Sequence, residues 1–168
     1  HTIRRCTVYN TGDGGIVMSG GDRKSLERSE HVIEENYIHH FGQWSRCYVP
    51  AIHVHGVGMR VSKNLIHDSP HTGIIYWGNE FLIEYNEIHH VTLESGDAGA
   101  IYTGRDFTAR GNVMRFNYIH DNGGEGMGSM GIYWDDCVSG QTAYGNIFVR
   151  VSRGMMMGGG RELVVENN

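Results

Sequence analysis

A short motif that begins with asparagine recurs through the chain and constrains its fold more than any other feature. The motif Asn-x-Ile-His begins at Asn36, Asn64, Asn86 and Asn117, and the related sequence NIFVR begins at Asn146. Cys6 takes the same place in an earlier repeat, and Asn167 is predicted to begin a later one. The minimum repeat is about 21 residues, and units of that size stack into solenoids because none can bury its apolar face alone.

Each repeat contains three short segments that alternate apolar and polar residues, which predicts three strands per coil. The chain then forms an all-β parallel solenoid, a β-helix of about six coils and one domain spanning residues 1–168. Strands of successive coils lie about 4.8 Å apart, so the asparagines should form one buried stack. In that stack each side-chain amide can bond to the backbone and to the next asparagine, which offsets the cost of burying it.

The composition excludes several classes of protein. The net charge is −5 with no basic stripe, so we expect no nucleic-acid partner. No apolar run is long enough for a membrane span, and three cysteines do not make an even disulfide framework. The sequence begins and stops within a coil, so we expect a fragment of a longer chain. Coil ends without caps favour self-association.

Strand alternation assigns the third segment of each repeat to an inward and an outward face. The residues predicted to point inward are Ile16, Ile52, Ile74, Ala100, Ile132 and Met155, followed by Met18, Val54, Tyr76, Tyr102, Trp134 and Met157. The outward residues include His53, Ile101 and Tyr133 in one column and His55, Trp77, Thr103 and Asp135 in the other. An aromatic residue, histidines and an aspartate beside long loops indicate a groove that binds an oligosaccharide or polysaccharide.

A second column contains His39, His67, His89 and His120. Regular histidines suggest metal binding, but no cysteine or carboxylate column accompanies them. The sequence therefore favours stacked surface imidazoles and predicts no metal site.

Two sequences carry a resemblance to known proteins: GDAGAIYTGRD, which starts at Gly96, and IYWDD, which starts at Ile132. With the repeated motif, they resemble the bacterial right-handed parallel β-helix repeat proteins, and within these glycoside hydrolase family 141. The resemblance covers essentially the whole chain. It implies a right-handed coil and an exported enzyme that cleaves polysaccharide with a pair of aspartates. Trp134 stands where such groups typically have leucine.

Carried over to this chain, the catalytic pair is Asp97 with either Asp135 or Asp136. An extended strand would separate Asp97 from Asp135 by roughly 20 Å, so the pair requires the turn before that strand to fold over the sheet. Asp106 is an alternative partner. The residues expected to bind substrate are His53, His55, Trp77, Thr103, Arg105, Asp106 and Tyr133.

Two other functions remain open at this level. A polysaccharide lyase or uronate epimerase would abstract a proton with a basic residue, such as His53 or His55, often with calcium. A carbohydrate-binding or adhesive solenoid would need no catalytic residue. The hydrolase interpretation requires no cofactor, and few basic side chains face the predicted groove.

Overall fold

The computed structural model describes residues 1–168, and all its regular structure is β-strand. Six three-stranded coils are followed by a single strand. The strands are β1 (Thr2–Arg4), β2 (Thr7–Tyr9) and β3 (Ile16–Gly20); β4 (Val32–Glu34), β5 (Tyr37–His39) and β6 (Ile52–Val57); β7 (Arg60–Ser62), β8 (Leu65–His67) and β9 (Ile74–Asn79); β10 (Leu82–Glu84), β11 (Glu87–His89) and β12 (Ala98–Gly104); β13 (Asn112–Arg115), β14 (Tyr118–His120) and β15 (Ser129–Asp135); β16 (Gln141–Tyr144), β17 (Ile147–Val149) and β18 (Arg153–Met157); and β19 (Val164–Glu166).

Equivalent strands of successive coils pair in parallel and build three sheets. Sheet 1 contains the first strand of each coil and β19, sheet 2 the second strands, and sheet 3 the third strands. The predicted parallel β-solenoid of about six coils is therefore confirmed. The structure has no helix that is long and apolar enough to cross a membrane.

The asparagine stack is also confirmed. Asn64 Oδ1 accepts hydrogen bonds from the backbone N–H and the side-chain Nδ2 of Asn36, at 3.0 and 2.9 Å. Asn64 Nδ2 in turn donates to Asn86 Oδ1 at 2.9 Å and to the carbonyl of Ile33 at 3.1 Å. The same four contacts recur at Asn86, Asn117 and Asn146. Every polar atom of these buried side chains thus forms hydrogen bonds.

The last member of the stack is Asn168, not the predicted Asn167. Asn168 Oδ1 accepts from Asn146 Nδ2 at 2.7 Å, whereas Asn167 has a φ of +53° and is exposed. A residue with positive φ precedes every asparagine of the stack, for example Lys63 at +56° and Tyr85 at +55°. This residue forms the corner between sheets 1 and 2, and the motif alone did not predict its left-handed conformation.

One strand of sheet 3 is displaced by one residue from the predicted alignment. Ile101, rather than Ala100, pairs with Ile74 and Ile132. Tyr102 therefore faces outward, and Thr103 is fully buried, with its hydroxyl donating to the carbonyl of Tyr76 at 2.6 Å. The prediction that Thr103 faces the groove is wrong.

The displacement has a local cause in the sequence. A small residue stands directly before the first predicted inward residue in the third segment of the other coils, as Gly73 does before Ile74, and here Gly99 and Ala100 are both small. The prediction aligned Gly99 with Gly131, whereas the strand pairing places Gly99 beside Met130.

A candidate active site on the outer face of sheet 3

A small apolar cluster covers the outer face of sheet 3, outside the main core. Ile75, Tyr102, Met130 and Tyr133 form it, and each is at most 7% exposed. An outward-facing column of a solenoid is usually solvated, so its burial here means that loops lie over the strands.

Two of these loops precede β12 and β15, and they are bonded to each other. The backbone N–H of Asp97 donates to the carbonyl of Gly128 at 3.1 Å, and that of Glu125 donates to the carbonyl of Ser95 at 3.4 Å. Asp97 has a φ of +52°, so the chain turns sharply at this residue before it enters β12. The loops thus place the Asp97 side chain over the sheet.

Asp97 and Asp135 meet on opposite sides of one tyrosine hydroxyl. The Tyr133 oxygen lies 3.0 Å from Asp97 Oδ1 and 2.9 Å from Asp135 Oδ1. The two carboxylate oxygens are therefore at most about 6 Å apart, which includes the separation of about 5–5.5 Å that retaining glycosidases use. The separation of roughly 20 Å estimated for an extended strand does not occur, because the turn before β12 folds over the sheet.

Asp135 is the more heavily bonded member of this pair. Its Oδ2 accepts from the Tyr102 hydroxyl at 3.0 Å, and its Oδ1 also accepts from the backbone N–H of Asp136 at 2.8 Å. The only hydrogen-bond donor to the Asp97 carboxylate is Tyr133, and Asp97 is exposed. The two carboxyl groups therefore have different surroundings, which suits different roles.

The hydroxyls of both tyrosines remain protonated at neutral pH. Burial, followed by the hydrogen bonds to Asp135 and Asp97 and their charges, raises the pKa of Tyr133 far above its ordinary value of 10.0. Burial and Asp135 raise the pKa of Tyr102 in the same way. Since a hydroxyl has one hydrogen, Tyr133 can donate to only one carboxylate at a time. Its contact with the other carboxyl is a hydrogen bond only when that group carries a proton.

Asp136 does not join this pair. Its carboxylate forms an ion pair with Arg105 Nε at 2.7 Å, and its side chain is 55% exposed. The same ion pair raises the pKa of Arg105. Of the two aspartates that the sequence left open, Asp135 is the one that lies beside Asp97.

Asp106 is held in the turn that follows β12. Its Oδ1 accepts from the backbone N–H and the hydroxyl of Thr108, at 2.9 and 2.7 Å, and its Oδ2 pairs with Arg23 at 2.8 Å. Burial by itself raises the pKa of Asp106, but the bonds to Thr108 and Arg23 outweigh it and lower the pKa. This carboxylate shapes the loop and is occupied by structural contacts.

A cleft of about 540 Å³ opens next to Asp135, which contacts two of its lining residues, Tyr102 and Gly104. Its lining residues are Tyr48, Trp77, Tyr102, Gly104, Arg105 and Asp106. Gly104 separates Trp77 from Asp135 on the sheet, since it pairs with Asp135. A Cβ atom at Gly104 would lie 2.9 Å from the Asp135 Cβ and 3.0 Å from the Tyr102 hydroxyl. Glycine at this position therefore leaves room for both side chains.

Tyr48 and Tyr102 are site residues that the sequence reasoning missed. Tyr48 extends from the long loop before β6, 59% exposed, with its ring 5.0 Å from that of His71 and 6.4 Å from that of Tyr102. Nothing in the repeat predicts where this loop folds. Tyr102 was missed because of the one-residue displacement of β12.

His53 and His55 lie beside Trp77 on the same face. Their ring centres are 4.8 and 5.2 Å from that of Trp77, and their planes are inclined to it by 67° and 66°. Burial, followed by the charge of His55, lowers the pKa of His53 to about 4, and burial lowers that of His55. Both imidazoles are therefore neutral at pH 7, and both pack against the Trp77 ring.

We expect His53→Gln to reduce the loss of stability on acidification. The unfolded imidazole takes up a proton near its ordinary pKa of 6.5, whereas the folded one does so near 4. Stability is therefore complete above about pH 6.5 and falls as the pH decreases to 4. Allowing for solvent at the ring, about 1–2 kcal/mol of that loss comes from His53. Urea unfolding at pH 7.5 and 4.5 checks this, and an equal loss in both proteins would contradict it.

The three aspartates do not fit the calcium ion considered from the sequence. Calcium takes 6–8 oxygen ligands around one point. Here the Tyr133 hydroxyl stands between Asp97 and Asp135, and Asp136 is paired with Arg105.

Comparison with known proteins bears on the whole chain. A family model described as a right-handed beta helix region matches residues 1–168. No curated protein and no solved structure matches.

Proposed function

Since the chain belongs to the right-handed β-helix family, a fold typical of polysaccharide-acting enzymes and binding proteins, we propose that it is a glycoside hydrolase. The observation that carries the proposal is the Asp97–Tyr133–Asp135 arrangement beside a cleft lined by aromatic residues. The resemblance of GDAGAIYTGRD and IYWDD to glycoside hydrolase family 141 supports the same choice. We propose export as well, because polymers of this kind lie outside the cell.

The surroundings of the two aspartates suggest their roles. Asp135 accepts hydrogen bonds from Tyr133, Tyr102 and a backbone N–H, so it is suited to act as the carboxylate nucleophile. Asp97 contacts only the Tyr133 hydroxyl and is exposed at the loop, so it is suited to exchange protons with the leaving group and with water. The separation of at most about 6 Å favours a retaining mechanism over an inverting one.

The proposed reaction has two steps. In the first, Asp97 donates its proton to the glycosidic oxygen while Asp135 attacks the anomeric carbon, so the C–O bond breaks and a glycosyl ester forms. In the second, water attacks the same carbon, Asp97 takes the water proton, and the Asp135 carboxylate is released. Tyr133 and Tyr102 hold Asp135 in place through both steps.

The charges near the pair favour a neutral sugar at the cleaved bond. Asp97, Asp135 and Asp136 are all acidic, and Arg105, the guanidinium that lines the cleft, is already paired with Asp136. A uronic acid would meet repulsion there. A lyase also needs a basic group to abstract a proton, and the neighbours of Asp135 are tyrosine hydroxyls whose pKa is raised.

Incubation with a panel of neutral and acidic polysaccharides tests the proposal. We expect new reducing ends on a neutral polymer, no product that absorbs in the ultraviolet, and an initial product anomer that matches the substrate by proton NMR. An unsaturated product would establish a lyase instead, and tight binding without any product would establish a binding solenoid.

Trp77→Ala is expected to weaken oligosaccharide binding by about tenfold, or ~1.4 kcal/mol. The Trp77 side chain is 37% exposed and lines the cleft, so a sugar face can stack on it. The melting temperature should change little, because the ring lies on the outer face. Trp44→Ala is the matched control, since Trp44 is 87% exposed and lies outside the cleft. Equal binding by both variants, or a large fall in melting temperature for Trp77→Ala alone, would assign Trp77 to packing.

A further inference from the structure

The histidine column of sheet 2 is His39, His67, His89 and His120. The column is stacked as predicted: the His39, His67, His89 and His120 rings follow one another at 5.2, 4.6 and 4.8 Å. The sequence prediction of no metal site depended on the absence of accompanying carboxylates. The structure shows that carboxylates do accompany the column, from neighbouring positions.

His120 lies between two carboxylates. Its Nδ1 is 2.7 Å from Asp121 Oδ2, and its Nε2 is 3.2 Å from Glu87 Oε1. A neutral imidazole has one N–H, so it can donate to only one of these two acceptors. With the hydrogen on Nδ1, toward the nearer Asp121, the Nε2 lone pair faces the Glu87 carboxylate. Two acceptors that face each other in this way require a cation between them.

His89 supplies a third ligand atom from the strand next to His120. His89 pairs in register with His120, and Glu87, two residues before His89, points to the same side of the sheet. The His89 Nδ1 lies 2.7 Å from the His90 Nδ1. When His89 donates this bond, its Nε2 is also a free lone pair. One ligand atom from each of Glu87, His89 and His120 comes within 4.8 Å of the other two.

We propose that Glu87, His89 and His120 bind one divalent transition-metal ion, such as zinc. Two imidazoles and one carboxylate are a known zinc ligand set that leaves a coordination position for water. Imidazole nitrogen favours zinc, copper and nickel over calcium and magnesium. Asp121 and His90 are positioning residues, since each accepts the N–H of a ligand histidine and directs its other nitrogen to the metal.

The preceding coils contain a natural control for this site. His39 with His40 repeats the contact of His89 with His90, at 2.8 Å, and His67 with Asp68 repeats that of His120 with Asp121, at 2.8 Å. The place of Glu87 is taken by Tyr37, whose hydroxyl lies 3.0 Å from His67 Nε2. The Tyr37 hydroxyl can donate a hydrogen bond to the Nε2 lone pair of His67, so this equivalent site needs no cation.

The metal would join two strands that lead directly into the two loops lying over sheet 3, which are bonded to each other at Asp97 and Gly128. His89 precedes the loop that ends at Asp97, and His120 precedes the loop that contains Gly128. A metal that binds the folded chain and not the unfolded one raises the free energy of unfolding with the logarithm of the metal concentration. We therefore expect zinc to raise the melting temperature.

Calorimetric titration with zinc chloride at pH 7.5 tests the proposal, using the full chain without an affinity tag. Three exposed cysteines, Cys6, Cys47 and Cys137, are first alkylated so that thiolates do not bind the metal. We expect one zinc per chain, at least tenfold weaker binding in Glu87→Tyr, and unchanged binding in His67→Gln. Tyr37→Glu should create a second equivalent, because it gives the His39 and His67 pair the missing carboxylate.

Three outcomes would contradict the proposal. The first is an unmodified protein that binds no zinc. Equal affinity in Glu87→Tyr, or no second equivalent in Tyr37→Glu, would overturn the role of the carboxylate. Should Glu87→Tyr fail to fold by circular dichroism, Glu87→Gln tests the same ligand with less change in volume.

Discussion

Asp135→Asn and Asp97→Asn are each expected to lower glycoside hydrolysis by about 10²–10⁴-fold or more. The amide oxygen of asparagine can still accept the Tyr133 hydroxyl, which lies 2.9 Å from Asp135 and 3.0 Å from Asp97. The fold and the cleft should therefore be retained. What is lost is the nucleophilic carboxylate in one variant and the transferable proton in the other. Initial rates, with binding measured in parallel, check the prediction.

Asp136→Asn is the matched control, because it makes the same chemical change one residue away. The Asp136 carboxylate pairs with Arg105 at the surface, so we expect its loss to change the rate by less than tenfold. The two roles can also be separated with azide. In Asp135→Gly, azide should replace the missing nucleophile and yield a glycosyl azide of inverted configuration. If all three asparagine variants keep rates near that of the unmodified enzyme, the active site lies elsewhere.

The architecture was predictable because the sequence motif recurs regularly and because its buried asparagines can form all their hydrogen bonds only in a stack. A buried amide needs partners for two donors and an acceptor, and only a stack of equivalent positions supplies them at every coil. Residues that repeat the pattern, such as Asn64 and Asn117, therefore fixed the coil register without any structural information.

The candidate site was predicted less well, because it depends on residues that break the repeat. Trp77, Asp135 and Tyr133 lie on regular strands, and their outward placement followed from alternation. Tyr102 and Thr103 were exchanged because Gly99 and Ala100 are equally small. Asp97 and Tyr48 lie on loops that fold over the sheet, and no periodic argument predicts such contacts.

The carboxylates around the histidine column were missed for a related reason. Glu87 lies at the start of its strand and Asp121 follows the end of another, so neither forms a column in sequence. Asp121 follows His120 directly in the chain, whereas the contact of Glu87 with His120 arises only when adjacent coils are superposed. A search for metal ligands in a solenoid should therefore compare neighbouring coils rather than one aligned position.

Asn86→Asp is expected to cost about 3–5 kcal/mol of folding free energy, although it replaces one atom in a side chain of the same shape. Asn86 Nδ2 donates to the carbonyl of Val61 and to Asn117 Oδ1, each at 3.0 Å. In the variant an oxygen faces those two acceptors, and a charge is buried in a side chain that is 1% exposed. A loss of this size is a large part of the 5–15 kcal/mol that stabilises a typical domain.

Asn167→Asp is the control, since it adds the same charge at an exposed residue outside the stack. We expect it to change stability by less than about 0.5 kcal/mol. Urea unfolding of the three proteins measures the difference. Burial favours the protonated form of the introduced carboxyl, and a protonated carboxyl regains one donor. The deficit of Asn86→Asp relative to the unmodified protein should therefore shrink as the pH falls. A deficit below 1 kcal/mol at pH 7.5 would mean that the stack tolerates unpaired acceptors, and that the apolar core alone sets the coil register.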